Sequence, residues 1–149
     1  MRYEWIPCKS VGRLILDTPI NPYVEDGTLI SMPFEDPPDP EDDDRFVYAD
    51  EEESARDWEE EIAVYVKEGL IASVSCSRRC ELRGRNLIGL DYETVRKLVG
   101  SYLDADPDVV YLGEQDFIDE VEEQYYFEEV DANVWVEDGI VKSITCGRG

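Results

Sequence analysis

The chain has 149 residues, 42% of them hydrophobic, and carries 37 acidic against 14 basic side chains for a formal net charge of −23. This length and apolar content suffice for one packed domain without disulfides, and the acids are clustered instead of spread evenly, which argues against a disordered chain. The charge argues against direct contact with nucleic-acid phosphates or anionic lipid, and the absence of histidine removes the commonest general base and metal ligand.

The chain opens Met-Arg-Tyr-Glu-Trp-Ile-Pro-Cys, with no apolar run of the kind an export signal needs. No window reaches the ~18 to 20 apolar residues of a bilayer span. A cytoplasmic address is therefore expected, with Cys8, Cys76, Cys80 and Cys146 as thiols. Residues 13–17 (Arg-Leu-Ile-Leu-Asp) resemble residues 86–91 (Asn-Leu-Ile-Gly-Leu-Asp), at an offset of 73 or 74. The two prolines of Thr18-Pro-Ile-Asn-Pro22 predict a loop or a single turn. Ser54 is a suitable N-cap for a short helix through Arg56, Trp58 and Glu61.

Residues 64–76 (VYVKEGLIASVSC) and 134–146 (VWVEDGIVKSITC) align without a gap. Each is two β-rich runs around an acid-Gly pair, the signal of a two-residue hairpin whose turn needs positive φ. Simple alternation places Leu70, Ala72, Val74 and Cys76 on the core face of one hairpin and Ile140, Lys142, Ile144 and Cys146 on that of the other. Between the hairpins, Asp91 can cap a helix over 92–103, with Val95, Leu98, Val99 and Tyr102 forming one apolar stripe. A further short helix is expected at Gln115–Glu123, and Tyr125-Tyr126-Phe127 reads as an extra strand.

Together these elements predict an α+β fold: one domain spanning residues 1–149 and built of two related strand, helix and hairpin halves, about 1–80 and 81–149. The sheet would be mainly antiparallel, with helices on one face.

The charge is localised. Residues 35–61 hold 15 acids against Arg45 and Arg56, and residues 104–131 hold 12 acids and no base, leaving a nearly neutral remainder. The two stretches fall in the same place relative to the two hairpins. Solubility of a small domain needs a net charge of only about 2 to 8, so this concentration points to a basic partner that neutralises the field on binding. The partner-binding candidates are Asp42, Asp43, Asp44, Glu51, Glu52, Asp57, Trp58, Asp116, Asp119, Glu120, Glu122 and Glu123. Phe46, Tyr48, Phe117, Tyr125 and Tyr126 also lie among the acids, either as interface anchors or as the core face of short elements.

Other chemistry fits less well. Carboxylates in runs are not a placed acid and base, so no catalysis is expected. Asp104-Ala-Asp106-Pro-Asp108 opens like a calcium loop, but Val109 and Gln115 stand where that loop needs Gly and Glu. The four cysteines lack the close paired spacing of a zinc site, and Cys76 and Cys146 read as matched small core residues, so no metal or other cofactor is expected. The arginines at 78, 79, 83 and 85 are expected to pair with the acidic stretches or to stay solvated.

The segment Leu87-Ile-Gly-Leu-Asp-Tyr-Glu-Thr-Val-Arg-Lys-Leu-Val-Gly100, followed by an acidic stretch and the hairpin Val-Trp-Val-Glu-Asp-Gly-Ile-Val, resembles a unit of small bacterial α+β proteins. That unit occurs in envelope assembly lipoproteins and in immunity proteins of polymorphic toxin and contact-dependent inhibition systems. An opening without signal peptide or lipobox directs the expectation to the immunity proteins. The resemblance covers mainly residues 86–146 and implies a monomer that neutralises a cognate basic toxin, such as a nuclease, by occlusion. The alternatives are a DNA mimic that inhibits a nucleic-acid-binding protein, and a structural or regulatory domain.

Overall fold

A computed structural model describes residues 2–32, 45–56, 59–117 and 120–147, with backbone only for Phe117 and Glu120. The chain begins with a three-stranded meander, β1 (Trp5–Ile6), β2 (Ser10–Val11) and β3 (Leu14–Ile15), then a short helix α1 (Asn21–Glu25). Strands β4 (Leu29–Met32) and β5 (Arg45–Tyr48) follow, then a 3-10 turn at Ala49–Glu51, helix α2 (Glu52–Arg56), and the hairpin of β6 (Ile62–Lys67) and β7 (Leu70–Cys76). A small ribbon of β8 (Glu81–Leu82) and β9 (Arg85–Asn86) leads to helix α3 (Tyr92–Leu103). Strands β10 (Val109–Phe117) and β11 (Glu120–Phe127), a 3-10 turn at Glu128–Val130, and the hairpin of β12 (Ala132–Glu137) and β13 (Ile140–Gly147) complete the chain.

The class is α+β, dominated by an eight-stranded antiparallel sheet in the order β10-β11-β12-β13-β7-β6-β5-β4. Both expected hairpins form. In their turns Glu68 and Gly69 have φ of 55° and 79°, and Asp138 and Gly139 have 51° and 77°. Positive φ at both central residues is the type I′ geometry that matches strand twist, and glycine at the second position favours it. The hairpins join along β7 and β13, where Ile144 faces Cys76, Thr145 faces Ser75 and Cys146 faces Val74.

Simple alternation fails at one residue in each hairpin. Tyr65 pairs with Ser73 but Val66 with Ile71, and Trp135 pairs with Ser143 but Val136 with Val141. Ala72 and Lys142 are thus the extra residues of two β-bulges, and a bulge inverts the side-chain alternation beyond it. Ile71 and Val141 turn into the core, both fully buried, while Leu70 and Lys142 face outward. This corrects the expected core face at Leu70, Ala72, Ile140 and Lys142, and it removes the need to bury a lysine.

The segments entering α1 and α3 are latched to the hairpins alike. Asp17 N and Ile20 N donate to Ile71 O and Gly69 O, and Gly89 N and Tyr92 N donate to Val141 O and Gly139 O. Bridges pair Pro19 with Leu70 and Asp91 with Ile140. The counterpart of Asp91 is therefore Pro19, one or two residues from the expected alignment.

Helix α3 has the expected bounds. Asp91 caps it, accepting from Thr94 N at 3.1 Å and Thr94 Oγ1 at 2.7 Å, and Val95 and Val99 are buried. The single turn expected after Thr18 is α1, with Pro22 in its first turn. Two helix expectations are corrected. The helix near Ser54 starts at Glu52 and ends at Arg56, with Ser54 inside it, because the β-branched run from Ile62 is drawn into the sheet. Residues 115–123 lie in the β10–β11 ribbon, paired from Val109 opposite Phe127 to Phe117 opposite Glu120. There the cross-strand partners within the β10–β11 ribbon override local helix preference.

Candidate protein-binding site

The ribbon of β10 and β11 combines an unpaired edge, exposed apolar side chains and acids. Among these residues β10 is an edge strand, paired only with β11. Its ladder contains a bulge, since Tyr111 pairs with Tyr125 but Gly113 with Gln124, leaving Leu112 extra. Val110, Tyr111, Leu112 and Val121 are large apolar side chains exposed by 40–52%. Burying such side chains in a partner is the main favourable term available to an interface.

Acids surround them. Glu114 lies directly opposite Glu123, and Asp116 opposite Val121. Two carboxylates facing each other across a ladder repel, which costs the free protein stability. Ladder contacts between β11 and β12 stop at Glu123 opposite Val136, so the ribbon end projects past the rest of the sheet.

An aromatic series roots the ribbon in the core. Tyr111 packs edge-on against Tyr125 at 5.2 Å, Tyr125 stacks on Tyr92 of α3 at 4.3 Å, and Tyr92 meets the buried Phe127 at 6.2 Å. Tyr125 donates to Glu123 Oε2 at 2.8 Å and Tyr126 to Asp131 Oδ1 at 2.6 Å. Desolvation and the Glu123 bond push the Tyr125 hydroxyl up to about 12, and the Asp131 bond does the same for Tyr126. Exposed Tyr111 thus sits on a rigid support, as an anchor residue should.

The other expected site residues have diverse placements. Glu52 is exposed and pairs with Arg56 at 3.1 Å one helical turn away. Glu51 is half-buried, accepts from Glu61 N at 3.1 Å, and has its carboxyl raised chiefly by burial, so it braces the chain before β6. Asp116 is exposed, and Glu122 and Glu123 are half-buried on β11, where Glu120 contributes backbone pairing. Asp42, Asp43, Asp44, Asp57, Trp58 and Asp119 lie outside the described residues. Tyr48 is buried and Phe46 packs against the core, so neither is a surface anchor. Sequence reasoning missed Val110, Tyr111, Leu112 and Val121, although the run Val109-Val110-Tyr111-Leu112 carries a β-forming signal.

Beneath β5, Arg45 is buried in an ion pair with Glu60 and donates to Ala55 O at 3.2 Å, which fastens α2. Asp104 is the left-handed C-cap of α3, and Asp108 N is held by both oxygens of Glu129 at 2.9 and 3.0 Å. Arg79 pairs with Glu81 at 2.9 Å and Arg83 lies over Tyr102 at 5.0 Å, outside both strongly acidic ribbon strands. Arg2 and Arg13 line a depression of about 440 Å³, with Arg2 on Asp50 and Arg13 on Asp26.

Three of the four cysteines converge. The sulfurs of Cys76, Cys80 and Cys146 lie within 4.8 Å of one another and all three residues are buried. Cys8 is exposed and directed to Glu129 O at 3.4 Å, so the four thiols do not form one set. Among the described residues no helix is long and apolar enough to cross a membrane.

No protein-family model, curated protein or solved structure matches the chain. The functional reading therefore rests on the site itself.

Proposed function

We propose that the chain is an acidic, non-catalytic binding module that captures a basic protein and blocks it, as do the immunity proteins it resembles. On this reading the partner is a toxin, of the nuclease kind, in the cytoplasm. The chain acts as a monomer made of two related strand, helix and hairpin halves. The observation that carries the reading is the Glu114–Glu123 pair beside exposed Tyr111, Leu112 and Val121. Facing carboxylates cost the free protein stability, and a lysine or arginine placed between them would reverse that cost. The wider field would steer a cation-rich partner to the ribbon, and the apolar side chains would set its residence time. A nuclease is apt because the cations that hold phosphates are those that carboxylates would occupy.

The test uses a basic domain that the chain captures, sought first in the reading frame beside this one. Reversing Asp119, Glu120, Glu122 and Glu123 to lysine should abolish both tight binding and protection from that domain's activity while the circular dichroism spectrum is retained. Unchanged binding would refute the ribbon as the docking surface. Equal binding to several unrelated DNA-binding proteins would replace a cognate inhibitor with a DNA mimic.

A further inference from the structure

We propose that Cys76, Cys80 and Cys146 form a three-sulfur site for a soft, thiophilic metal ion, with cuprous copper the ion whose coordination it fits. The sulfurs come from three separate elements. Cys76 ends β7, Cys146 lies near the end of β13, and the cross-strand register sets them two residues apart on the same face of the sheet. Cys80 arrives from the loop between β7 and β8, and that loop is built around it.

Asn86 Oδ1 accepts from Cys80 N at 2.9 Å and from Ile88 N at 3.1 Å, while Leu87 N donates to Cys80 O at 2.8 Å. These bonds fix the loop backbone with the Cys80 thiol turned inward, fully shielded from solvent.

A lone buried cysteine is adequately explained as a small apolar residue. Three of the chain's four cysteines meeting within 4.8 Å is a different observation. A metal–sulfur bond of ~2.3 Å puts three sulfurs at the corners of a triangle about 4 Å on a side, so closure needs less than about 1 Å of movement. The identity of the ion follows from ligand type and number. Thiolates select soft ions such as cuprous copper and zinc, and a structural zinc takes four ligands. Among the described residues no fourth histidine, cysteine or carboxylate joins the three sulfurs. An ion content with three sulfurs is favoured.

Loading one cuprous ion would form three copper–sulfur bonds, break three S–H bonds and release three protons to solvent, with no change of oxidation state.

The test titrates the full reduced chain, carrying Cys8→Ser to remove the exposed thiol, with cuprous copper buffered by a competing chelator under anaerobic conditions. One equivalent should bind, with a thiolate-to-copper charge-transfer band, and zinc should not displace it. Asn86→Ala, which frees the Cys80 loop, should weaken binding roughly 10- to 100-fold, and Cys80→Ala by more. Alkylation of the three thiols in the Cys8→Ser protein supplies a readout that needs no core substitution, and copper should slow it in proportion to occupancy. Alkylation rates unchanged by copper, or wild-type affinity in Cys80→Ala, would overturn the site. Zinc bound in preference to copper would overturn its three-coordinate character.

Discussion

Replacing Gly147 by alanine should destabilise the protein far more than the same change at Gly139, although both have positive φ, 100° and 77°. At Gly139 nothing lies within 4 Å of an added Cβ, so only conformational strain opposes the substitution. That strain is about 1 to 2 kcal/mol, partly offset by the ~0.4 to 1 kcal/mol that alanine contributes by restricting the unfolded chain, for a net loss of about 1 kcal/mol. At Gly147 the added Cβ would meet Ala72 O at 2.6 Å and Leu16 Cδ2 at 3.1 Å. Ala72 is the bulge residue of β7, and its carbonyl cannot retreat without disturbing the ladder that turns Ile71 into the core. Overpacking adds about 1 to 3 kcal/mol, bringing the loss to about 2 to 4 kcal/mol. For a chain of this size each kcal/mol lowers Tm by roughly 2 to 4 °C, so Gly139→Ala should melt a few degrees low and Gly147→Ala about 10 °C low. Gly69→Ala should match Gly139→Ala, and the two losses should add because the antiparallel β7–β13 pairing places the turns at opposite ends of the sheet. Equal melting temperatures for Gly139→Ala and Gly147→Ala would refute the close approach of β13 to the bulge.

Lys142→Val should be tolerated and Val141→Lys should unfold the protein in a denaturant titration, because the bulge sets Lys142 outside and Val141 inside; the reverse order would restore simple alternation. Tyr3, Tyr125 and Tyr126 should ionise at about 12 in an ultraviolet titration, while the same residues in urea should ionise near ~10. Their native values are raised, so the stabilisation they contribute is fully present below pH ~10 and is lost as pH rises through 10 to 12. Tyr126→Phe should remove one late-ionising group, and a uniform titration near ~10 in the folded protein would contradict the Asp131 and Glu123 bonds.

Features encoded locally were legible in the sequence. The acid-Gly pairs fixed both hairpin turns, and Asp91 with its apolar stripe fixed α3 to the residue, because a turn or cap is decided within a few positions. Features decided by tertiary partners were not. The bulges at Ala72 and Lys142 follow from how β6 and β12 pair, and no local pattern separates them from plain alternation. The ribbon at residues 109–127 was partly obscured by its acids, whose local preference yields to the ladder between β10 and β11. Of the candidate site, Asp116, Glu122 and Glu123 do come together on this ribbon, whereas Glu51 serves the fold and Glu52 pairs within its helix. The apolar half of the site became visible only once β10 was seen as an edge strand. The convergence of Cys80 with Cys76 and Cys146 likewise depends on a loop conformation set by the side chain of Asn86.

The Glu114–Glu123 repulsion is the centre of the account, and Glu114→Lys tests it directly, because it converts a facing like-charge pair into an opposite-charge pair. The free variant should gain stability, by about 0.2 to 1 kcal/mol, which thermal melting registers as an internal control. The deciding measurement is its affinity for a captured basic partner, by calorimetry at fixed salt. A loss of tenfold or more, about 1.4 kcal/mol, is expected, since the cation of the partner meets a lysine where a carboxylate stood. Undiminished affinity in that variant would contradict it.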